Sequence, residues 1–427
     1  MVAEVYLWGT KIGTVAQKDA ADIAKFQYDK DFLKSGIEVS PIVMPLSNRI
    51  YSFPALSQRT FHNLPGLLAD SLPDKYGTKL IERHLAEQGR NINSFSAVEK
   101  LCYIGKRGMG ALEFVPAMSE SVTDSSVDIN ALVKLASDIL CERESVLISA
   151  DNDMMEQIIK VGTSAGGARA KAIVAWNEQT NDIRSGQIEA GSGYGYWLIK
   201  FDGVENNKDK GDKADGPSYT RIEYAYSLMA KAAGIIMSEC RLYQESGNYH
   251  FMTKRFDREL ESGRKIHMQT LGAMAHFDYN EPGAYSYEQA AAIVYQLGMQ
   301  QAEIEQLFRR MVFNVVSRNQ DDHVKNISFL MDRKGTWSLS PAYDITYAND
   351  ENNFWLKRHQ MSINGKFDNF TRDDIYQCGR KMNISKGNIE KIITEVSAAI
   401  SEWQKYSEEA QIKEQVYEEI RTQHIKI

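Results

Sequence analysis

RNQDDHVKNISFLMD, residues 318–332, is the stretch on which the reading of this chain turns. Asp321 and Asn326 stand five residues apart, ahead of an apolar run, Ile327 to Met331, with the composition of a short strand. A carboxylate followed at that spacing by a side-chain amide suits phosphoryl transfer. The first orients an attacking hydroxyl or takes its proton, and the second lends an oxygen to Mg²⁺. Taken alone, the same residues also spell an Asp/Asn turn between two elements. Asp322 is the rival for the carboxylate's role, and the spacing to Asn326 favours Asp321.

Protein kinases carry such a pair on H-R-D-x-x-x-x-N. Here Asn319 and Gln320 stand in place of His and Arg, so that signature is not met. Working outward, LSPAYDITYA (339–348) lies beyond the strand and a turn at Gly335. Its Asp344, 18 residues after Asn326 and flanked by Tyr343 and Ile345, is a candidate second metal ligand, in the place of the kinase D-F-G aspartate. Upstream, YWLIKF (196–201) is an apolar strand in which Lys200 is placed as a phosphate-holding lysine is, with Glu223 on the next helix as a candidate partner. VGTSAGGARAKAIVAW (161–176) combines Gly162, Gly166 and Gly167 with the small residues Ser164, Ala165 and Ala168, followed by Arg169 and Lys171. Backbone amides of such a loop can face an anion. It matches neither the Walker A nor the G-x-G-x-x-G pattern, and a flexible turn has the same composition. TKRFDRE (253–259) falls where a hinge is expected, with Phe256 to line an adenine pocket and Asp257 to bond a ribose; an exposed charged turn is the alternative. GSGYG (191–195) leads into a strand and not a helix, and GKRGMG (105–110) reads as a turn, so neither is taken as a nucleotide site.

The 427 residues carry 50 Lys and Arg against 57 Asp and Glu, a net charge of −7, which excludes a general polyanion binder. With 43% hydrophobic and 25% charged residues the chain is neither disordered nor fibrous. No apolar run approaches the roughly 18 residues of a membrane helix, and the first residues do not read as a secretory signal. Cys102, Cys141, Cys240 and Cys378 lie at least 39 residues apart, without zinc spacing. These features predict a cytoplasmic protein with no membrane contact.

Along the chain, 5–17 reads as a hairpin turning at Gly9-Thr10, and 61–88 holds a helix starting near Pro73-Asp74. A polar linker, 119–128, precedes helices at 129–140 and 153–160. Strands at 171–176 and 196–201, a loop at 204–217, a helix over 221–234 and two strands meeting at Ser246-Gly247-Asn248 follow. Helices then dominate: 286–298, 302–317, 386–403 and 407–422. The order predicts an α+β, two-lobed, protein-kinase-like fold: a β-rich N-terminal lobe with an extra N-terminal subdomain, then an all-helical C-terminal lobe. The expected boundaries are 1–120, 121–256 and 257–427.

Together these motifs resemble the HipA-like serine/threonine kinases of bacterial toxin–antitoxin systems. VYLWGTKIGTV and LPGLLADSLPDKYG are similar to that family's N-terminal subdomain, TSAGGARAK to its phosphate loop, and KRFDRE, DDHVKN and SPAYDI to its hinge, catalytic loop and metal segment. The resemblance implies ATP and Mg²⁺ as cofactors, Asp321 as catalytic residue, and Asn326 and Asp344 on the metal. It implies His323, Lys325 and Tyr343 beside the nucleotide, Lys200 on its phosphates, Lys254, Phe256 and Asp257 at the hinge, and Gly166, Gly167, Ala168, Arg169 and Lys171 over the ATP. Ser164 is implied as an autophosphorylation site whose phosphate displaces the loop, because about two added negative charges cannot share amides that face ATP. Lys254 stands where the best-aligned family example has an acidic residue, and Arg169 where some members carry Gln. The implied partners are a helix-turn-helix (HipB-like) antitoxin, operator DNA reached mainly through it, and a protein substrate of the aminoacyl-tRNA synthetase type. The alternatives are a catalytically weak co-repressor working through a DNA-binding antitoxin, and a small-molecule phosphotransferase.

Overall fold

The computed structural model describes the whole chain except residues 88, 90, 92–94, 119–126, 141–161, 163–168, 188–189, 205–217 and 260–261. Most of the expected linker, the helix at 153–160, most of the loop at 204–217 and the heart of the Gly-rich loop therefore lie outside the described residues. The chain forms two compact units. The first takes Met1–Asp215, Gln244–Gln269 and Leu330–Thr336; the second takes Gly216–Tyr243, Thr270–Phe329 and Trp337–Ile427.

In the first unit, β1 (Val2–Leu7) alternates buried Val5 and Leu7 with half-exposed Glu4 and Tyr6, the period of a strand with one face on a core. It turns into β2 (Thr10–Ala16) through Trp8 (φ 50°) and Gly9 (φ 80°). Two successive left-handed residues give the hairpin turn whose twist suits the strands, one residue earlier than the sequence suggests. With β3 (Lys25–Tyr28), β4 (Ile50–Tyr51) and β5 (Leu112–Val115) they form an antiparallel sheet in the order β4-β3-β2-β1-β5. Helix Lys75–Glu87 starts just after Pro73-Asp74, as expected. Helix Ala97–Ile104 opens on a reciprocal cap between Ser96 and Glu99 and buries Leu101, Cys102 and Ile104.

A second sheet of this unit holds β6 (Lys171–Asn177), β7 (Asp182–Ser185), β8 (Gly195–Lys200) and β10 (Asn248–Lys254) in the order β7-β6-β8-β10. β9 (Cys240–Glu245) leads into β10 through Ser246 and Gly247, both at positive φ. The first five residues of β6 are buried, which explains the unbroken apolar reading of KAIVAW after Lys171. The expected boundary at 256/257 falls inside this unit, because Asp257 is bonded to the backbone N–H of Gly110 at 2.7 Å.

The second unit is built on helix Gln301–Ser317. Ile304, Leu307, Phe308, Met311, Val312 and Val315 recur at helical spacing and are all buried. Tyr226, from helix Tyr219–Ala232, meets Phe313 and Trp403 edge to face at 6.2 and 5.5 Å between ring centres. Helix Lys386–Ser401 is close to expectation, but the single helix expected over 407–422 is two, Trp403–Glu409 and Glu414–Gln423. The break is a helix-ending loop: Gln411 takes φ 54°, and the N–H of Ile412 returns to the Ser407 carbonyl at 2.9 Å. The region after residue 257 also contains short strands among its helices: β11 (His267–Thr270), β12 (Tyr285–Ser286), β13 (Ser328–Met331), β14 (Trp337–Leu339) and β15 (Met361–Ser362). Among the described residues no helix is long and apolar enough to cross a membrane.

Candidate active site

Helix Gln301–Ser317 ends at Arg318, which takes φ 63° and turns the chain away from the helix axis. The residues that follow are pinned by backbone bonds. Ala348 N–H donates to the Arg318 carbonyl at 3.2 Å, and Gln320 N–H donates to the Ala348 carbonyl at 2.9 Å. Asp322 then faces inward and Asp321 outward: their side chains are 1% and 16% exposed. His323 Nε2 lies 3.8 Å from Asp321 Oδ1, and His323 Nδ1 accepts from the N–H of Lys325 at 3.3 Å, opening the short turn Val324–Asn326. Asn326 Nδ2 donates to the Asp321 carbonyl at 2.8 Å. That bond fixes the amide and leaves its oxygen as the group offered elsewhere. The Lys325 ammonium sits 4.9 Å from the centre of the Tyr279 ring.

The segment around Asp344 docks on the same loop. The Tyr343 hydroxyl donates to the Lys325 carbonyl at 2.5 Å and meets Ser328 Oγ at 2.5 Å. Asp344 takes φ 52°, a conformation that an L-residue adopts at a cost of order 1 kcal/mol and that clusters at working sites. Asp344, Asn326, His323, Asp322, Tyr343 and Arg310 line one recess of the second unit. Asn326 and Asp344 thus offer an amide oxygen and a carboxylate, hard ligands of the kind Mg²⁺ takes, so the residues fit that ion.

The remaining expected residues belong to the first unit. Lys171 and Lys200 are direct partners across β6 and β8, so both side chains leave the same face of the sheet. They are only 3% and 6% exposed. Lys254 is half-buried with its ammonium 5.5 Å from the centre of Trp197, and Phe256 and Arg169 are half-buried. Ser164, Gly166, Gly167 and Ala168 lie outside the described residues.

Asp257 does not fit the ribose-binding role expected of it. It is fully buried, and its oxygens accept from Arg255 Nε (2.8 Å), Arg255 Nη2 (2.7 Å), Arg258 Nη1 (2.9 Å) and Gly110 N–H (2.7 Å). Burial alone would raise its carboxyl, but the two guanidinium groups override that and hold it well below the usual carboxylate range. Three of these donors meet Oδ2 and one meets Oδ1, and with no exposed surface the carboxylate is closed to a sugar hydroxyl. Its task is to join the 105–110 turn to the end of β10. Glu223 is buried within helix Tyr219–Ala232 of the second unit.

Several polar residues around the loop carry no motif signal. Tyr287, Asn314, Asn319, His359 and Gln360 are buried beneath it, and Arg310 is 5% exposed, donating to the Ser340 carbonyl at 2.6 Å. Burial lowers the Arg310 guanidinium to about 10, which leaves it charged at neutral pH. Burial, with the Asp322 carboxylate beside it, pushes the Tyr287 phenol well above its ordinary value, so it stays a donor. The one signal available beforehand was Arg310 and Asn314 lying in the otherwise apolar stretch of helix Gln301–Ser317.

The fold that carries the Asp321–Asn326 loop and the Asp344 segment, and in its first unit the paired strand lysines, is a mixed α+β one. Residues 3–115 match the HipA N-terminal domain and residues 163–403 the HipA-like C-terminal domain. The chain belongs to the HipA family. Among curated relatives it is 26% identical over 212 residues to a Haemophilus influenzae protein named "Putative kinase", covering 42% of this chain and 61% of that protein. It is 26% identical over 231 residues to "Putative kinase Y4dM" of Sinorhizobium fredii, covering 48% of this chain and 51% of that protein. The chain therefore spans between half and two thirds of the length of these relatives. Among solved structures it resembles Shewanella oneidensis MR-1 HipA in a complex with HipB and operator DNA, with a TM-score of 0.70 at 16% identity, over 98% of this chain and 96% of that one. That likeness speaks for the fold.

Proposed function

We propose that this chain is an ATP- and Mg²⁺-dependent protein serine/threonine kinase that acts as the toxin of a toxin–antitoxin module and phosphorylates itself on Ser164. The observation that carries the reading is that Asn326 and Asp344 line one recess, with Asp321 held beside it by the Asn326 bond to its carbonyl, in family order. Lys171 and Lys200 supply two facing cations for the nucleotide's phosphates. Asn326 and Asp344 hold the metal, which when bound neutralises charge on the phosphates. The Asp321 carboxylate takes a hydrogen bond from the acceptor Ser or Thr hydroxyl and aims its oxygen in line with the γ-phosphate. His323, at 3.8 Å, keeps a polar neighbour beside that carboxylate.

The partners follow from the family: a helix-turn-helix antitoxin that brings the complex to operator DNA, and a translation-related protein substrate of the aminoacyl-tRNA synthetase type. The net charge of −7 places most of the DNA affinity on the partner. The test is incubation with γ-labelled ATP and Mg²⁺. Label is expected to enter the wild-type protein and not Asp321→Ala, while both bind Mg-ATP with the same affinity by calorimetry. Equal labelling of the two would remove Asp321 from the chemistry.

A further inference from the structure

We propose that Asp322, the neighbour of Asp321, is a positioning residue that sets the direction of the Asp321 carboxylate. The inference rests on the kinase reading above and deepens it. The two residues are adjacent on one loop, with the Asp322 side chain 1% exposed and that of Asp321 16% exposed, so the backbone that one anchors is the backbone from which the other projects. Whatever anchors Asp322 therefore fixes where Asp321 projects.

The anchor is complete. Asp322 Oδ1 accepts from the Gln360 backbone N–H at 2.8 Å. Asp322 Oδ2 accepts from the Tyr287 hydroxyl at 2.9 Å and lies 2.9 Å from His359 Nδ1. The Tyr287 oxygen accepts in turn from Asn314 Nδ2 at 3.0 Å, and Asn314 Oδ1 accepts from Asn319 Nδ2 at 2.9 Å. The chain of bonds runs from helix Tyr287–Gln296, across helix Gln301–Ser317, to the start of the loop, and closes on the segment that follows Asp344. The Gln360 side chain also donates to the Trp355 carbonyl, so that segment is itself held.

Stability alone does not account for this cluster. An apolar cluster of the same volume is at least as stable as a buried ionic one. The cluster also leaves His359 Nε2, Asn319 Oδ1 and Gln360 Oε1 buried without hydrogen-bond partners, each at a cost. What the arrangement does supply is a fixed direction. Every donor aimed at the Asp322 carboxylate restricts the loop, and the Asn326 bond to the Asp321 carbonyl restricts it from the other side.

The consequence is a split between binding and turnover. Neither Asp322 nor His359 belongs to the lysine pair assigned to the phosphates. Displacing a reacting group by about 1 Å costs on the order of 100-fold in rate. Asp322→Ala is therefore expected to slow phosphate uptake at saturating Mg-ATP by roughly 10–100-fold with the KM for ATP unchanged. Asp322→Asn, which keeps an acceptor for Gln360, is expected to recover part of the loss, and His359→Gln to fall between. The experiment follows intact mass of the full chain against time at several ATP concentrations, with thermal melts of each variant. A merely structural role predicts that rate and melting temperature fall together and that Asn and Ala behave alike; that result overturns the proposal, as does an Asp322→Ala rate equal to wild type. If Asp322→Ala does not fold, the Asn and Gln variants decide by the same criteria. A wild-type chain that takes up no phosphate overturns the kinase reading and this one together, whereas a native rate in all three variants overturns this one alone.

Discussion

Two residues show how differently sequence and structure speak. Lys200 stands out in the sequence as the lysine of an apolar strand, and the structure puts it at the end of β8, directly opposite Lys171. Its removal by Lys200→Ala is expected to weaken Mg-ATP binding by about 1.5–3 kcal/mol, the worth of hydrogen bonds to a charged group, as read by calorimetry. Asp257 was misread because KRFDRE looks like a solvated charged turn. Nothing local says that a carboxylate between two arginines is buried; the decisive partner, Gly110, is 147 residues away in the chain. Asp257→Asn strands two buried guanidinium groups without their counter-charge and is expected to cost about 3–5 kcal/mol in denaturant unfolding. A cost below 1 kcal/mol would show that the cluster is solvated.

Elements were readable where one face is apolar throughout. Helix Gln301–Ser317 declares itself by spacing, and β6 by a continuous run of buried residues. Helix Arg372–Lys381 was missed, since RDDIYQCGRK buries only Asp374, Ile375, Cys378 and Gly379. Its signal was the cap: Thr371 and Asp374 bond reciprocally, with Asp374 N–H on Thr371 Oγ1 at 3.2 Å and Thr371 N–H on Asp374 Oδ2 at 2.8 Å. Thr371→Ala is expected to destabilise the second unit by about 1 kcal/mol, measured by thermal unfolding. The break at Gln411 gave no warning, because a non-glycine residue at positive φ is chosen by packing and not by local preference.

For the molecule as a whole, acid is the condition under which the buried histidines matter. Burial lowers His267 to about 3 and His250, His276 and His424 to about 4, against about 6.5 in an unfolded chain. The unfolded state therefore binds more protons as pH falls from about 7 toward 4, and stability is lost across that window. Asp257 adds to the loss only toward the acid end of that window and below it, where the unfolded carboxyl takes its proton while the folded one is still charged. The melting temperature is expected to fall between pH 7 and pH 5; a level profile would mean that these imidazoles reach solvent. The two-part α+β layout and the order of motifs could be read from the chain. The division into units could not, because it depends on pairings between segments hundreds of residues apart.

The account's central claim is phosphate transfer by Asp321, and one measurement bears on it most directly: intact-mass and peptide mass spectrometry after incubation with Mg-ATP, beside Asp321→Ala. The account predicts one added phosphate, on Ser164, in the wild-type chain alone. Phosphate on both chains, or on neither while both bind Mg-ATP, would contradict it.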